Sequence, residues 1–108
     1  MKNQKLNDIL NTINGLYLFD DKAANQYISL INESIEIIRE IETVPTSMLD
    51  NSKSEAITEL SNELANRMNE SFFHANNERK KSEFKISKML VVIAIGNVLS
   101  NMTDVDEP

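Results

Sequence analysis

His74 is the only histidine in this chain of 108 residues, and Glu70 stands four positions before it. A carboxylate one helical turn from an imidazole can orient a general base or start a metal site. A carboxylate-bridged di-iron bundle needs a Glu-x-x-His pair from each of two helices and a glutamate from each of two more. Here the spacing is Glu-x-x-x-His, with no second histidine. The expectation for His74 is therefore a surface imidazole beside Glu70. Ser71 lies close in sequence, but no strand-to-helix elbow or glycine-rich oxyanion loop accompanies it. Two glycines in the whole chain leave no loop to cradle a phosphate. The lack of cysteine removes disulfides, thiolate nucleophiles, zinc–thiolate sites and iron–sulfur clusters. No catalytic residue, metal or cofactor is expected, and the chain reads as a non-enzyme.

Carboxylates are plentiful: Glu33, Glu36, Glu40 and Glu42, then Glu55, Glu59 and Glu63. At these spacings they read as solvated helix faces, with Glu63 able to pair with Arg67 one turn on. Imitation of a phosphate backbone is a bolder reading, for which the charge is moderate.

Arg79, Lys80, Lys81, Lys85 and Lys88 form the one basic cluster, and Lys81, Lys85 and Lys88 share a helix face. Such a row can grip phosphate or an acidic partner. It can equally be a solvated face opposite the protein's own acidic helices, which is the favoured reading. Phe84 is the one aromatic within it, so sequence-specific nucleic-acid binding is weakly supported. Phe72 and Phe73 are adjacent and point about 100° apart on a helix. If Phe72 joins the core, Phe73 falls at the edge beside the basic cluster, where an exposed aromatic can anchor an interface.

The elements that carry these residues read as helices. Few Gly and Pro, and a 41% hydrophobic fraction, favour long helices over strands and over disorder. Four are expected, over about 3–18, 21–44, 52–77 and 82–101, as a compact antiparallel all-α bundle. Residues 1–102 form one domain and 103–108 a short acidic tail. In the first helix Leu6, Ile9, Leu10, Ile13, Leu16 and Tyr17 keep a three–four spacing, with Asn14-Gly15 as a possible stop. In the second the stripe is Ala24, Tyr27, Ile28, Ile31, Ile35, Ile38 and Ile41, and Val44-Pro45 ends it. Ser52-Lys53-Ser54-Glu55 has the form of a capping box and would start the third. Its apolar row is Ile57, Leu60, Leu64, Met68, Phe72 and Ala75. The run Met89–Ile95 is apolar on all sides and is expected to sit at the centre, covered from several directions. A break near Asn77 would fold the third helix back on the fourth.

The formal net charge is −6. It is uneven, with +3 over residues 77–88 and −3 over 89–108. A globally acidic chain is a poor unaided ligand for nucleic acid or anionic lipid. The start has no continuous apolar stretch, so no signal peptide is expected, and Met89–Ile95 falls far short of the ~20 residues of a membrane span. The expected place is the cytoplasm. The expected function is non-catalytic binding of a protein partner by stoichiometric contact, as in small regulators, inhibitor or immunity proteins and chaperones. The contacts would come from Phe73 and from Arg79, Lys80, Lys81, Lys85 and Lys88. Surplus apolar surface at Leu18, Met48, Leu49, Phe73 and the far side of 89–95 also suggests a homodimer. The alternative is a nucleic-acid-associated regulator that uses Arg79 to Lys88.

Overall fold

The computed structural model describes residues 2–16, 21–43, 47–69 and 78–106. They form four helices and, among themselves, no strand: α1 (Lys2–Asn14), α2 (Asp21–Glu40), α3 (Met48–Asn69) and α4 (Glu78–Asp106). Each helix packs on its neighbours in a ring, α1 on α2, α2 on α3, α3 on α4 and α4 back on α1, while α2 and α4 touch only lightly across the diagonal. Helix α4, about 44 Å long at 1.5 Å per residue, runs nearly the full 48 Å of the molecule.

The core is aliphatic because each helix repeats its apolar residues every three or four positions. Leu6, Ile9 and Ile13 come from α1, and Ala24, Tyr27, Ile31, Ile35 and Ile38 from α2. Leu49, Ala56 and Leu60 come from α3, and Phe84, Val91, Ile95, Val98 and Met102 from α4. Each Ile or Leu buried in full removes enough apolar surface from water to contribute about 2 kcal/mol. Tyr27, the largest fully buried side chain, meets Phe84 edge to face with ring centroids 5.1 Å apart. Its hydroxyl and Ser87 Oγ hydrogen-bond at 2.6 Å.

The helix ends differ from the sequence expectation in ways that have physical causes. Helix α1 stops at Asn14, short of residue 18. The Gly15 amide closes the last turn on the Asn11 and Thr12 carbonyls. Lys88 Nζ then donates to the Leu16 carbonyl at 2.8 Å and to that of Asn14 at 3.4 Å. A cation at a helix C-terminus satisfies free carbonyls and opposes the helix dipole. Lys53 does the same for α2, donating to the Ile41 carbonyl at 2.7 Å. Helix α2 accordingly ends at Glu40, before the Val44-Pro45 step, which lies outside the described residues.

Helix α3 begins at Met48, four residues before the expected Ser52. Ser47 is its cap, accepting the Asp50 amide at 3.1 Å. The Asp50 carboxylate accepts the Thr43 hydroxyl at 2.7 Å and ties the helix start to the chain leaving α2. Ser52 is buried inside the helix and donates back to the Leu49 carbonyl at 3.1 Å. Ser47→Ala should therefore cost about 1 kcal/mol in urea denaturation. Ser52→Ala should stay within about 0.5 kcal/mol of wild type, since its bond only repeats a helix carbonyl already in use. The opposite order would restore the cap to Ser52.

Helix α4 starts earlier and ends later than 82–101. Arg79, Lys80 and Lys81 lie in its first turns, and its backbone stays helical through Asp106, into the segment expected to be a tail. Helices α3 and α4 run antiparallel: Ser52 and Ala56 share a hollow with Ala94 and Asn97, whereas Glu63 and Arg67 share one with Ile86 and Ser87. Residues 70–77, where the break near Asn77 is expected, lie outside the described residues.

The largest departure concerns Met89–Ile95. Helix α4 is one side of the ring and is not sheathed. Val91 and Ile95 point inward, while Met89 and Ile93 are 55% and 54% exposed.

Candidate functional site

Two helical periodicities coexist on α4. Phe84, Ser87, Val91, Ile95, Val98 and Met102 follow the three–four rhythm and are buried. Ile86, Met89, Leu90 and Ile93 follow the same rhythm about half a turn away and are exposed. A helix with two apolar stripes can bury only one in a four-membered ring. The second stripe remains on the surface as a contiguous apolar ridge, which marks an interaction surface more often than chance.

Beside this ridge runs the groove between α3 and α4. It consists of two hollows of about 200 and 190 Å³ that share Leu90. Small residues on the inner side of both helices, Ser52, Ala56 and Ala94 at one end and Ser87 at the other, leave the space open. Glu55 and Glu59 line the first hollow, and Glu63, Glu83 and Arg67 the second.

The second hollow holds the group that sequence reasoning missed. Glu63 and Arg67 do not belong to a solvated face; both are buried, Glu63 at 8% exposure. The buried stripe of α3 is Leu49, Ser52, Ala56, Leu60, Glu63 and Arg67, rotated from the expected row, so that Ile57 and Leu64 are half-buried and Met68 is exposed. Glu63 Oε1 is buried and accepts no hydrogen bond. Both charges act on Tyr27. Burial is the main cause that pushes its phenol well above the usual value of 10.0. The Ser87 hydrogen bond lowers it, Glu63 raises it and Arg67 lowers it.

The residues singled out from sequence fare differently. Phe73, together with Glu70, Ser71 and His74, lies outside the described residues, as does Leu18. Arg79, Lys80 and Lys81 are placed on α4 by their backbone alone. Lys85 is exposed on α4, and Lys88 is held against the end of α1. Of the apolar residues expected to be surplus, Met48 is exposed but Leu49 is buried beneath α3. Glu33, Glu36, Glu40 and Glu42 are solvent-facing. Among the described residues, no three His, Cys, Asp or Glu side chains converge to hold a metal ion. No described helix is long and apolar enough to cross a membrane.

The described residues offer an apolar ridge, an adjoining groove and a buried carboxylate that lines it. No protein-family model, curated protein or solved structure matches this chain.

Proposed function

We propose that this protein is a non-catalytic protein-binding module that acts by stoichiometric contact through the outer face of α4 and the α3/α4 groove. The observation that carries this is the second apolar stripe, Ile86, Met89, Leu90 and Ile93, left uncovered on a helix whose other stripe already fills the core. Water contact on four large side chains in one row costs free energy that a partner would recover. The docking surface proposed here is the middle of α4, and the expected contact at Phe73 lies outside the described residues.

The nucleic-acid alternative loses support at Lys88, whose ammonium is already engaged with the α1 carbonyls.

A double substitution, Met89→Ser with Ile93→Ser, tests the reading. Both side chains are exposed, so the melting temperature should change little. The wild-type chain should retain a partner at a fixed stoichiometry in affinity capture from its own host cells, and the double variant should lose it. Equal capture by a folded double variant would remove α4 as the docking face.

A further inference from the structure

The groove beside the ridge is strongly one-signed. Its lining holds four carboxylates, Glu55, Glu59, Glu63 and Glu83, and one guanidinium, Arg67, for a net charge of −3. Its floor is apolar, from Ala56, Leu90, Ile93 and Ala94. From Ser52 to Arg67 it extends about four helical turns, the length of a short helix laid alongside. Glu63 is over nine-tenths buried, lines the inner hollow, and has an oxygen with no hydrogen-bond donor. A buried carboxylate oxygen without a donor is costly, and a donor brought by a ligand removes that cost.

We infer that the groove receives a basic amphipathic helix from a partner protein. This rests on the docking face proposed above and names its occupant. The partner's aliphatic side chains cover Ile86, Met89, Leu90 and Ile93. Its lysines or arginines lie along Glu55 and Glu59, and one of them enters the inner hollow, where a rotation of the Glu63 carboxylate brings Oε1 to the surface to accept from it. Opposite-sign grooves steer encounter and set register, and a desolvated charge pair fixes the bound position.

A second copy of this chain fits less well. The stripe is symmetric about the step from residue 89 to 90, so an antiparallel copy would match Ile86 with Ile93 and Met89 with Leu90. The same two-fold pairing keeps the α3 side of one copy against the α3 side of the other. It carries Glu83 of each copy toward Glu55 and Glu59 of its mate, three carboxylates in one place on each flank. Like charges so placed oppose the pairing that the apolar ridge would otherwise favour.

The test uses the full chain and two labelled synthetic peptides about four to five turns long. Both carry leucine on one helical face; one carries lysine on the other face and the second carries glutamate. Fluorescence anisotropy should show saturable one-to-one binding of the lysine peptide and at least about tenfold weaker binding of the glutamate peptide. Glu63→Gln should weaken the lysine peptide about tenfold or more, whereas Glu36→Gln, which removes the same charge from an exposed site on α2, should leave it nearly unchanged. Equal effects of the two substitutions would reduce the attraction to net charge and overturn the inference. So would equal binding of the two peptides, or a wild-type chain that sediments as a dimer at high micromolar concentration and gives no peptide binding. Loss of binding in the Met89→Ser, Ile93→Ser variant with no effect of Glu63→Gln would retain the docking face and refute its basic occupant. Unchanged binding in that double variant would refute the face itself.

Discussion

Tyr27→Ala should remove about 4 kcal/mol of stability, the largest loss expected from any single truncation in this bundle. The ring is fully buried where α2 crosses α4, and its removal leaves a cavity that Phe84 and the isoleucines around it cannot close. A small domain commonly has ~5–15 kcal/mol in total, so this one change consumes a large share. Tyr27→Phe separates packing from polarity. It keeps the ring, deletes the 2.6 Å bond to Ser87 and leaves that hydroxyl buried, at a cost of about 1 kcal/mol. The Tyr27→Phe, Ser87→Ala double variant should be less destabilised than the two single changes added together, because it removes both partners. Urea denaturation of Tyr27→Ala, Tyr27→Phe, Ser87→Ala and the double variant gives these values.

The same phenol gives a pH signature. In the unfolded chain it ionises near its ordinary value, while in the fold, burial keeps it protonated to higher pH. A raised pKa means its contribution is complete below about pH 10 and lost as the pH rises toward the folded value. Stability should therefore fall on the alkaline side above pH 10, and Tyr27→Phe should flatten that limb. An unchanged slope would assign the alkaline loss to other groups.

Arg67→Met should cost about 3 kcal/mol, although it is isosteric enough to fill its site. Arg67 is the cation one turn from the Glu63 carboxylate, and both are buried. Removing it leaves an anion in the protein interior with less compensation. Replacing both, Glu63→Leu with Arg67→Met, should return the stability to wild type or above it, since buried ionic groups seldom outperform apolar ones of similar size. Thermal melts of the single and double variants decide this. A double variant as weak as Arg67→Met would mean that the charges hold the fold together. A more stable double variant would mean that stability is given up at Glu63 for another purpose, which fits a carboxylate kept for a partner's cation.

The sequence made the architecture legible wherever apolar periodicity and burial agree. The α2 stripe from Ala24 to Ile41 lies inside except for the half-buried Ile28, and the Leu6, Ile9 and Ile13 stripe of α1 lies against its neighbours. Ser52 with Glu55 is the expected start of α3, yet Ser47 stands in the same relation to Asp50 and is the cap. Local chemistry could not separate them; Leu49 decides, because its burial requires the earlier start.

The candidate site was less legible. Glu63 and Arg67 have the i, i+4 spacing of a surface ion pair, yet they continue the 49–52–56–60 spacing by three and four. Those two patterns are identical in one dimension, and only the burial of Ser52, Ala56 and Leu60 on the same row marks the second as the inner face. On α4 the apolar run was visible, but its two stripes could not be sorted into buried and open before the number of packed neighbours was known.

The clasp between Lys88 and the end of α1 joins segments more than seventy positions apart, and α1 packs more extensively on α4 than on α2. During synthesis α1 is made well before α4, its principal partner. Leu6, Ile9 and Ile13 can be only partly covered, by α2, until α4 is made, and in that interval the nascent chain depends on dilution or on a holding factor to stay clear of other newly made proteins.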